Sequence, residues 1–193
     1  MKVLGIMGSP RPGGNTDLLL DEALKGAESR GAQVEKLVVD KLKISPCKEY
    51  YGCLRDGDCV IRDDMDGIYP RLLGADAVIV AAPMFFYGLP GQLKSLIDRC
   101  QATWVRKHVL KQALGASGRR GAFIGVGATR GARLFDGSVL VVKYFFGAIG
   151  VSYADELLVR GVDQKAEIRE HPAALKDAFE LGKRLAGRVK LAP

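Results

Sequence analysis

The segment Asp76–Ala82 reads DAVIVAA, in which every residue after the aspartate is apolar. A run of this kind predicts a strand that is buried on both faces, as strands are when helices cover both sides of a parallel sheet. The segment Lys2–Gly8 is also a compact apolar run, and it ends in glycine. We therefore expect these two segments to be buried strands of one parallel sheet.

Helical and strand patterns alternate along the rest of the chain. Further strands are predicted at Gln33–Val39, Gly121–Gly127 and Ser152–Val159, and helices at Asn15–Arg30, from Pro90 to about Lys107, at Arg133–Ile149 and at Ala173–Val189. This alternation predicts an α/β fold in which helices cover both faces of a doubly wound, five-stranded parallel sheet. The simplest strand order for that count is the flavodoxin-like order 2-1-3-4-5, in a single domain over residues 1–193.

The composition narrows the class of protein. The chain has 193 residues, of which 48% are hydrophobic and 26% charged, and this excludes a disordered chain, a collagen and a coiled coil. The longest apolar stretch, around Ala77–Phe86, contains Pro83 and is about half as long as a membrane span. The N-terminus does not resemble a signal peptide. We expect a soluble cytoplasmic protein with reduced thiols and no membrane partner.

The loop after the first strand reads GSPRPGGNT over Gly8–Thr16. In an open parallel sheet, ligands bind beyond the carboxyl ends of the strands, where this loop lies. Its glycines let the backbone approach an anion closely, and the helix that follows adds free N–H groups. The side-chain donors of the loop are Ser9, Arg11, Asn15 and Thr16. This combination predicts a phosphate-binding loop.

The spacing within the loop indicates which phosphate it takes. Gly8 and Gly13 are spaced as in the P-loop of nucleoside-triphosphate enzymes, but Gly14 and Asn15 stand where that motif has Lys and Ser or Thr. The groups that bind the β- and γ-phosphates and Mg²⁺ are therefore missing. The dinucleotide fingerprint GxGxxG is absent as well, because Gly5 and Gly8 are three residues apart. A single terminal monophosphate is the ligand that this loop suits.

Two motifs together resemble the NADPH-dependent FMN reductase family and, within it, the iron-sulfur flavoproteins. They are GSPRPGGNT after the first strand and APMFFYGLPGQLKSLIDR, residues 82–99, after the strand at Asp76–Ala82. The resemblance extends from Lys2 to about Gly187. It implies an FMN cofactor, NADPH or NADH as reductant, and a flavodoxin-like fold, which agrees with the fold predicted from the strand count.

The resemblance also implies which residues bind the cofactor. The FMN phosphate would be held by Ser9, Arg11, Gly14, Asn15 and Thr16. The isoalloxazine ring would lie along Pro83, Met84, Phe85, Phe86, Tyr87 and Gly88, and its other edge would be closed by Gly127, Ala128, Thr129 and Gly131. These loops offer an apolar wall for a flat ring and N–H groups for its polar atoms. No catalytic side chain is expected, because the flavin would carry the chemistry.

The segment 41–66 has no clear period, and we interpret it as an insertion that contains three of the four cysteines. The resemblance implies a CxxCxxC motif here, followed by a fourth cysteine. Cys47, Cys53 and Cys59 occupy three of those positions, whereas Tyr50 occupies the second. Because a cubane cluster normally takes four cysteine ligands, the role of the segment stays open. Cys100 lies on a predicted helix and is expected in the core.

Three outcomes are open for the cysteine segment. It binds no cluster and forms a loop or a subunit contact, or it holds an iron-sulfur cluster on three cysteines with water, Tyr50 or a partner as the fourth ligand. The third outcome is a zinc site or a regulatory disulfide.

Basic residues are spread over the middle of the chain with few aromatic residues among them, which indicates a solvated basic face rather than a nucleic-acid site. They are Arg99, Arg106, Lys107, Lys111, Arg119, Arg120, Arg130 and Arg133. A further hypothesis is that Arg130 or Arg133, next to the loop that follows the strand predicted at Gly121–Gly127, steers NADPH through its 2′-phosphate.

The segment 139–146, VLVVKYFF, is too apolar for a helix with one solvated face. Another subunit should cover part of it, so we expect a homodimer or homotetramer.

The sequence thus favours an FMN-dependent oxidoreductase that passes electrons from NADPH or NADH to a quinone, a flavin or a redox protein. One alternative is an iron-sulfur flavoprotein that carries electrons between protein partners without being an enzyme. Another is a flavin-dependent sensor or a nucleic-acid-binding module.

Overall fold

The computed structural model describes residues 1–187. Its strands are β1 (Lys2–Met7), β2 (Gln33–Val38), β3 (Ala77–Pro83), β4 (Arg120–Gly127) and β5 (Ser152–Arg160). Neighbouring strands pair in parallel, in the order β2-β1-β3-β4-β5. The predicted flavodoxin-like order is confirmed.

Helices connect the strands, and one more helix follows the last strand. They are α1 (Asn15–Glu28), α2 (Cys53–Asp56), α3 (Met65–Gly74), α4 (Gly91–Arg99), α5 (Gln101–His108), α6 (Asp136–Ala148) and α7 (Pro172–Ala186), with single 3₁₀ turns at Val39–Lys41 and Glu167–Glu170. The last two residues of the helix predicted at Ala173–Val189 lie outside the described residues. Within residues 1–187, no helix combines the length and the apolar character that crossing a membrane requires.

The two faces of the sheet are buried against different helices. Because side chains alternate along a strand, Val78 and Val80 of β3 face the layer formed by α3, α4 and α6, whereas Ala77 and Ile79 face α1 and α7. This double coverage explains why β3 reads as a continuous apolar run.

Helices α1 and α7 pack closely because glycines stand at their contact. A Cβ added to Gly26 would collide with the carbonyl oxygen of Phe179, and one added to Gly182 with that of Ala23. The contact is made directly between backbones, which brings the last helix of the described chain against the first.

The helix predicted from Pro90 to Lys107 is wrong as one element. It divides at Cys100 into α4 and α5, because the Cys100 N–H bonds the carbonyl of Ile97, three residues back, and so tightens the turn. Cys100 itself is buried in the core as predicted, and burial raises the pKa of its thiol to about 12.

The sequence pattern also missed α3, which begins at Met65 and makes the crossover from β2 to β3. Gly67 and Pro70 lie inside this helix and interrupt its apolar period. The helix nevertheless buries Ile68 and Leu72 against the sheet.

A solvated basic face is wrong for two of the arginines assigned to it. Arg99 and Arg119 are 1% and 2% exposed. Arg119 donates to the carbonyl oxygens of Ala75 and Ile149, at 2.7 and 2.6 Å, and to that of Leu72. Burial lowers its pKa. Arg119 thus closes the carboxyl ends of α3 and α6, whereas Arg99 is paired inside the protein with Asp63.

Candidate functional site

A cleft lies at the carboxyl ends of the strands, where the strand order reverses at β1. It is bordered by the loops that follow β1, β3, β4 and β5. Its lining consists of Ser9, Arg11, Gly14, Asn15, Thr16, Pro83, Met84, Phe85, Val126, Ala128, Val162, Asp163 and Lys165. This is the position at which open α/β sheets bind their ligands.

The loop after β1 leaves polar groups free toward the cleft. Ser9 and Thr16 are 4% and 3% exposed. The Ser9 hydroxyl accepts the N–H of Arg11 at 3.2 Å, and within residues 1–187 the Thr16 hydroxyl has no hydrogen bond. The first N–H groups of α1 have no acceptor inside the helix. An unpartnered hydroxyl that lines the cleft beside free N–H groups is suited to an anion.

Asp17 holds the same loop in place through a hydrogen bond to its backbone. Its carboxylate accepts the N–H of Gly13 at 2.8 Å and pairs with the ammonium of Lys36 at 2.5 Å. Partial burial alone would lower the pKa of Lys36, but hydrogen bonds to Asp17 and Asp21 raise it. Asp17 therefore has its own counter-ion and does not require one from the cleft.

The loop after β3 forms a tight aromatic turn. Phe85 and Gly88 exchange two backbone hydrogen bonds of 2.9 Å, and the residues between them, Phe86 and Tyr87, have φ angles of 49° and 61°. Bulky side chains rarely adopt this left-handed conformation, which costs free energy and is concentrated at functional sites. The turn presents the Phe86 ring to solvent and turns the Tyr87 ring toward the next loop.

Two arginines join the loop after β4 to the end of β5, Arg160 from β5 and Arg130 from the loop itself. Arg160 donates to the carbonyl oxygens of Gly131 and Ala132, at 3.4 and 3.3 Å, and its guanidinium lies 4.8 Å from the centre of the Phe135 ring. Arg130 packs over Gly161, where a Cβ would lie 2.7 Å from its Cζ atom.

The structure brings most of the predicted binding residues into one lining. These are Ser9, Arg11, Gly14, Asn15, Thr16, Pro83, Met84, Phe85 and Ala128. The others belong to the same loops but lie outside that lining, namely Phe86, Tyr87, Gly88, Gly127, Thr129 and Gly131.

Sequence reasoning missed the contribution of the loop after β5. Val162, Asp163 and Lys165 line the cleft, as does Val126 of β4. The rule that ligands bind at the carboxyl ends of the strands applies to β5 as well, but the segment GVDQK carries no motif that would single it out.

Asn15 has a different contact from the one predicted. Its side-chain amide donates to the carbonyl oxygen of Gln164 at 2.9 Å, and its carbonyl oxygen accepts the N–H of Ile168 at 3.1 Å. Asn15 therefore ties the loop after β5 to the start of α1, and its backbone N–H is the group that stays available to a ligand.

The three cysteines of the insertion line a second hollow. Cys47, Cys53 and Cys59 are half-buried free thiols around it, with Tyr50 and Tyr51 between them. Burial raises the pKa of Cys53, and the negative charge that Cys59 and Cys47 would carry as thiolates raises it further.

This arrangement does not fit an iron-sulfur cluster with four protein ligands. Within residues 1–187, no group of three Cys, His, Asp or Glu side chains is close enough to hold a metal ion. Tyr50, in the position of the second cysteine, is largely exposed. The thiols share a hollow without converging on one point.

Fold and cleft together define a flavodoxin-like protein with an open cleft at the carboxyl ends of its strands. The family model for NADPH-dependent FMN reductase matches residues 1–149. The chain belongs to this family.

Curated relatives agree with the family. An iron-sulfur flavoprotein of Methanosarcina thermophila is 39% identical over 61% of this chain, and the chain spans only 61% of the length of that relative. An iron-sulfur flavoprotein of Archaeoglobus fulgidus is 35% identical over 78% of this chain and 75% of its own length.

The solved structures support the fold. An NAD(P)H:quinone oxidoreductase from Methanothermobacter marburgensis superposes with a TM-score of 0.71, covering 96% of this chain and 98% of its own, at 16% identity. At that identity, the likeness shows the fold alone.

Proposed function

We propose that this chain is an FMN-dependent oxidoreductase that takes electrons from NADPH or NADH and passes them to a quinone, a flavin or a redox protein. The observation that carries the proposal is the cleft itself, in which the Thr16 hydroxyl, without a hydrogen-bond partner among residues 1–187, lines the same cavity as Phe85 of the aromatic turn. Because the chain belongs to the NADPH-dependent FMN reductase family, we assign the cleft to FMN.

The phosphate end of FMN fits the loop after β1. The Thr16 hydroxyl and the N–H groups that open α1 are free donors at the cleft, and Ser9 can donate because its oxygen already accepts a hydrogen bond. This set suits a monoester, because Gly14 and Asn15 stand where a triphosphate-binding P-loop has its lysine and hydroxyl.

The ring end fits the apolar side of the cleft. Pro83 lines it at the end of β3, Met84 and Phe85 line it from the loop after β3, and Ala128 lines it just after β4. Phe86, Tyr87, Gly88, Gly127, Thr129 and Gly131 complete the proposed set by shaping the two loops that carry this wall.

When bound, FMN would supply the transfer of hydride from reduced nicotinamide and of electrons to the acceptor. The protein would contribute position and exclusion of water. The apolar wall would orient the ring, and the turn at Phe85–Gly88 would leave one side open to a second substrate.

An absorbance spectrum of the purified protein tests the proposal. We expect flavin bands, bleaching on anaerobic addition of NADPH, and reoxidation by a soluble quinone. Thr16→Val should weaken FMN binding roughly tenfold, since one hydrogen bond to a charged group is lost. Ser95→Ala removes a hydroxyl on the solvent side of α4, outside the cleft, and is the matched control. A colourless protein that takes up no FMN would overturn the proposal.

An electron-carrier role is the second candidate function, because the relatives are named iron-sulfur flavoproteins and three cysteines line one hollow. The lack of a converged ligand group disfavours a cluster on this chain alone. Iron and sulfide analysis of anaerobically purified protein separates the two candidates, since bound cluster iron would favour the carrier.

We also propose a homodimer or homotetramer. Leu140 and Tyr144 on α6 are 57% and 74% exposed, an unusual exposure for large apolar side chains on adjacent turns. Sedimentation should show more than one chain per particle at micromolar concentration, and a monomer would contradict this. The cytoplasmic location expected from the sequence stays a prediction.

A further inference from the structure

We propose that Lys165, in the loop after β5, is the cationic partner of the flavin phosphate. The inference rests on the proposed function and adds to it a residue beyond the part of the chain that the family model matches. It concerns a monoester phosphate, and we assign it to FMN rather than to the 2′-phosphate of NADPH.

The position of Lys165 carries the inference. Its side chain lines the same cleft as Ser9 and Thr16. Its Cε atom lies 3.9 Å from the point that a Cβ on Gly13 would occupy, so the lysine stem reaches the phosphate-binding loop itself. Because Cε carries the ammonium, the charged nitrogen lies one bond from a carbon that is already in contact distance of the loop.

The backbone that presents Lys165 is fixed at several points. The side-chain amide of Asn15 bonds Gln164 on one side of the lysine and Ile168 on the other. The Glu167 carboxylate accepts the N–H groups of Asp163 and Gln164 at 2.8 and 2.7 Å, which lowers the pKa of Glu167. Lys165 is therefore held against the start of α1 rather than on a free loop.

The charges around the cleft leave room for an anion. Arg11 and Lys165 line it, and among residues 1–187 neither makes an ion pair. Asp163 is the carboxylate in the lining, whereas Asp17 is already paired with Lys36. A phosphate monoester carries between one and two negative charges near neutral pH, and two cations match it better than Arg11 alone.

The test compares FMN with riboflavin, which lacks the phosphate. Flavin-depleted protein is titrated with each, following the quenching of flavin fluorescence. Lys165→Gln should weaken FMN binding roughly tenfold and leave riboflavin binding within about twofold, because one charge-assisted contact to the phosphate is lost. Lys165→Arg should recover most of the FMN affinity. Lys176→Gln removes an exposed cation of α7, outside the cleft, and should change neither the FMN affinity nor the riboflavin affinity.

Three results would overturn the proposal. Equal losses for both flavins would assign Lys165 to the shape of the loop. Unchanged FMN affinity with a raised KM for NADPH would assign it to the 2′-phosphate. Wild-type protein that binds riboflavin as tightly as FMN would show that the phosphate is not recognised, while flavin binding stands. If the wild type binds neither flavin, the proposed function itself fails, and that outcome is distinct from the other three.

Discussion

The Nη1 atom of Arg99 lies 2.6 Å from the Oδ2 atom of Asp63, and the arginine side chain is completely buried. The same guanidinium donates to the carbonyl oxygens of Ser45 and Ile61, each at 2.9 Å. Asp63 in turn accepts the N–H of Ser45 at 2.9 Å. One ion pair and its neighbouring hydrogen bonds thus join both ends of the cysteine segment to the end of α4.

Breaking this pair should strongly destabilise the fold. Arg99→Met leaves the Asp63 carboxylate without its buried partner, and such losses cost roughly 3–5 kcal/mol of unfolding free energy. The matched control is Arg55→Met, because Arg55 pairs with Asp56 in an exposed position and should cost less than about 1 kcal/mol. Urea unfolding measures both, and similar values would contradict the role assigned to Arg99.

The same pair predicts a dependence of stability on acid. Burial alone would raise the pKa of Asp63, but hydrogen bonds from Arg99, Ser45 and Met65 lower it below its usual value. A carboxyl with a depressed folded pKa stabilises the protein above its unfolded pKa of about 3.9, and this contribution is lost as the pH falls through the folded value. The gap in stability between wild type and Asp63→Asn should therefore shrink below about pH 4. A gap that stays constant down to about pH 3 would disprove the assignment.

Gly182→Ala should destabilise the contact between α1 and α7. The added methyl would collide with the carbonyl oxygen of Ala23, which is backbone and cannot turn aside. Overpacking of this kind costs roughly 1–3 kcal/mol or more. Gly147→Ala, in α6 with no atom within 4 Å of the new Cβ, is the control and should be neutral or stabilise by up to about 1 kcal/mol. Thermal unfolding that ranks the two variants in the reverse order would refute the contact.

Gly131→Ala should disturb the aromatic turn from the neighbouring loop. A Cβ on Gly131 would lie 2.7 Å from the Tyr87 hydroxyl oxygen, which must move. We expect FMN binding to weaken by a few fold, roughly 1 kcal/mol. Because removing the hydroxyl removes the collision, Gly131→Ala combined with Tyr87→Phe should bind FMN as tightly as Tyr87→Phe alone. Additive losses in the double variant would mean that Tyr87 and Gly131 act separately.

Arg133→Ala tests the hypothesis that Arg130 or Arg133 steers NADPH through its 2′-phosphate. Arg133 is largely exposed in the segment after β4 and pairs with Asp136 at 3.0 Å. It can therefore exchange that partner for a 2′-phosphate. The KM for NADPH should rise several fold, roughly 1 kcal/mol, with the KM for NADH unchanged. Arg30→Ala, at the far end of α1, is the control. Equal changes for the two nucleotides would dismiss the hypothesis.

The sequence alone determined the sheet and the position of the loop that is predicted to bind a phosphate. Apolar runs such as Asp76–Ala82 indicate strands that are buried on both faces. The glycines and polar residues at Gly8–Thr16 indicate the end of a strand followed by a helix. These are local properties, readable within ten residues, and topology rules then place the strand ends at one edge.

Only the tertiary structure decided which distant residues meet. Lys165 reaches a loop some 150 residues earlier because Asn15 bonds Gln164, and Arg99 is buried because Asp63 neutralises it. The three cysteines have the spacing of a ligand set, yet their thiols do not converge on one point. Contacts of this kind depend on how separate segments pack and on which charges find partners, and a linear pattern does not record either.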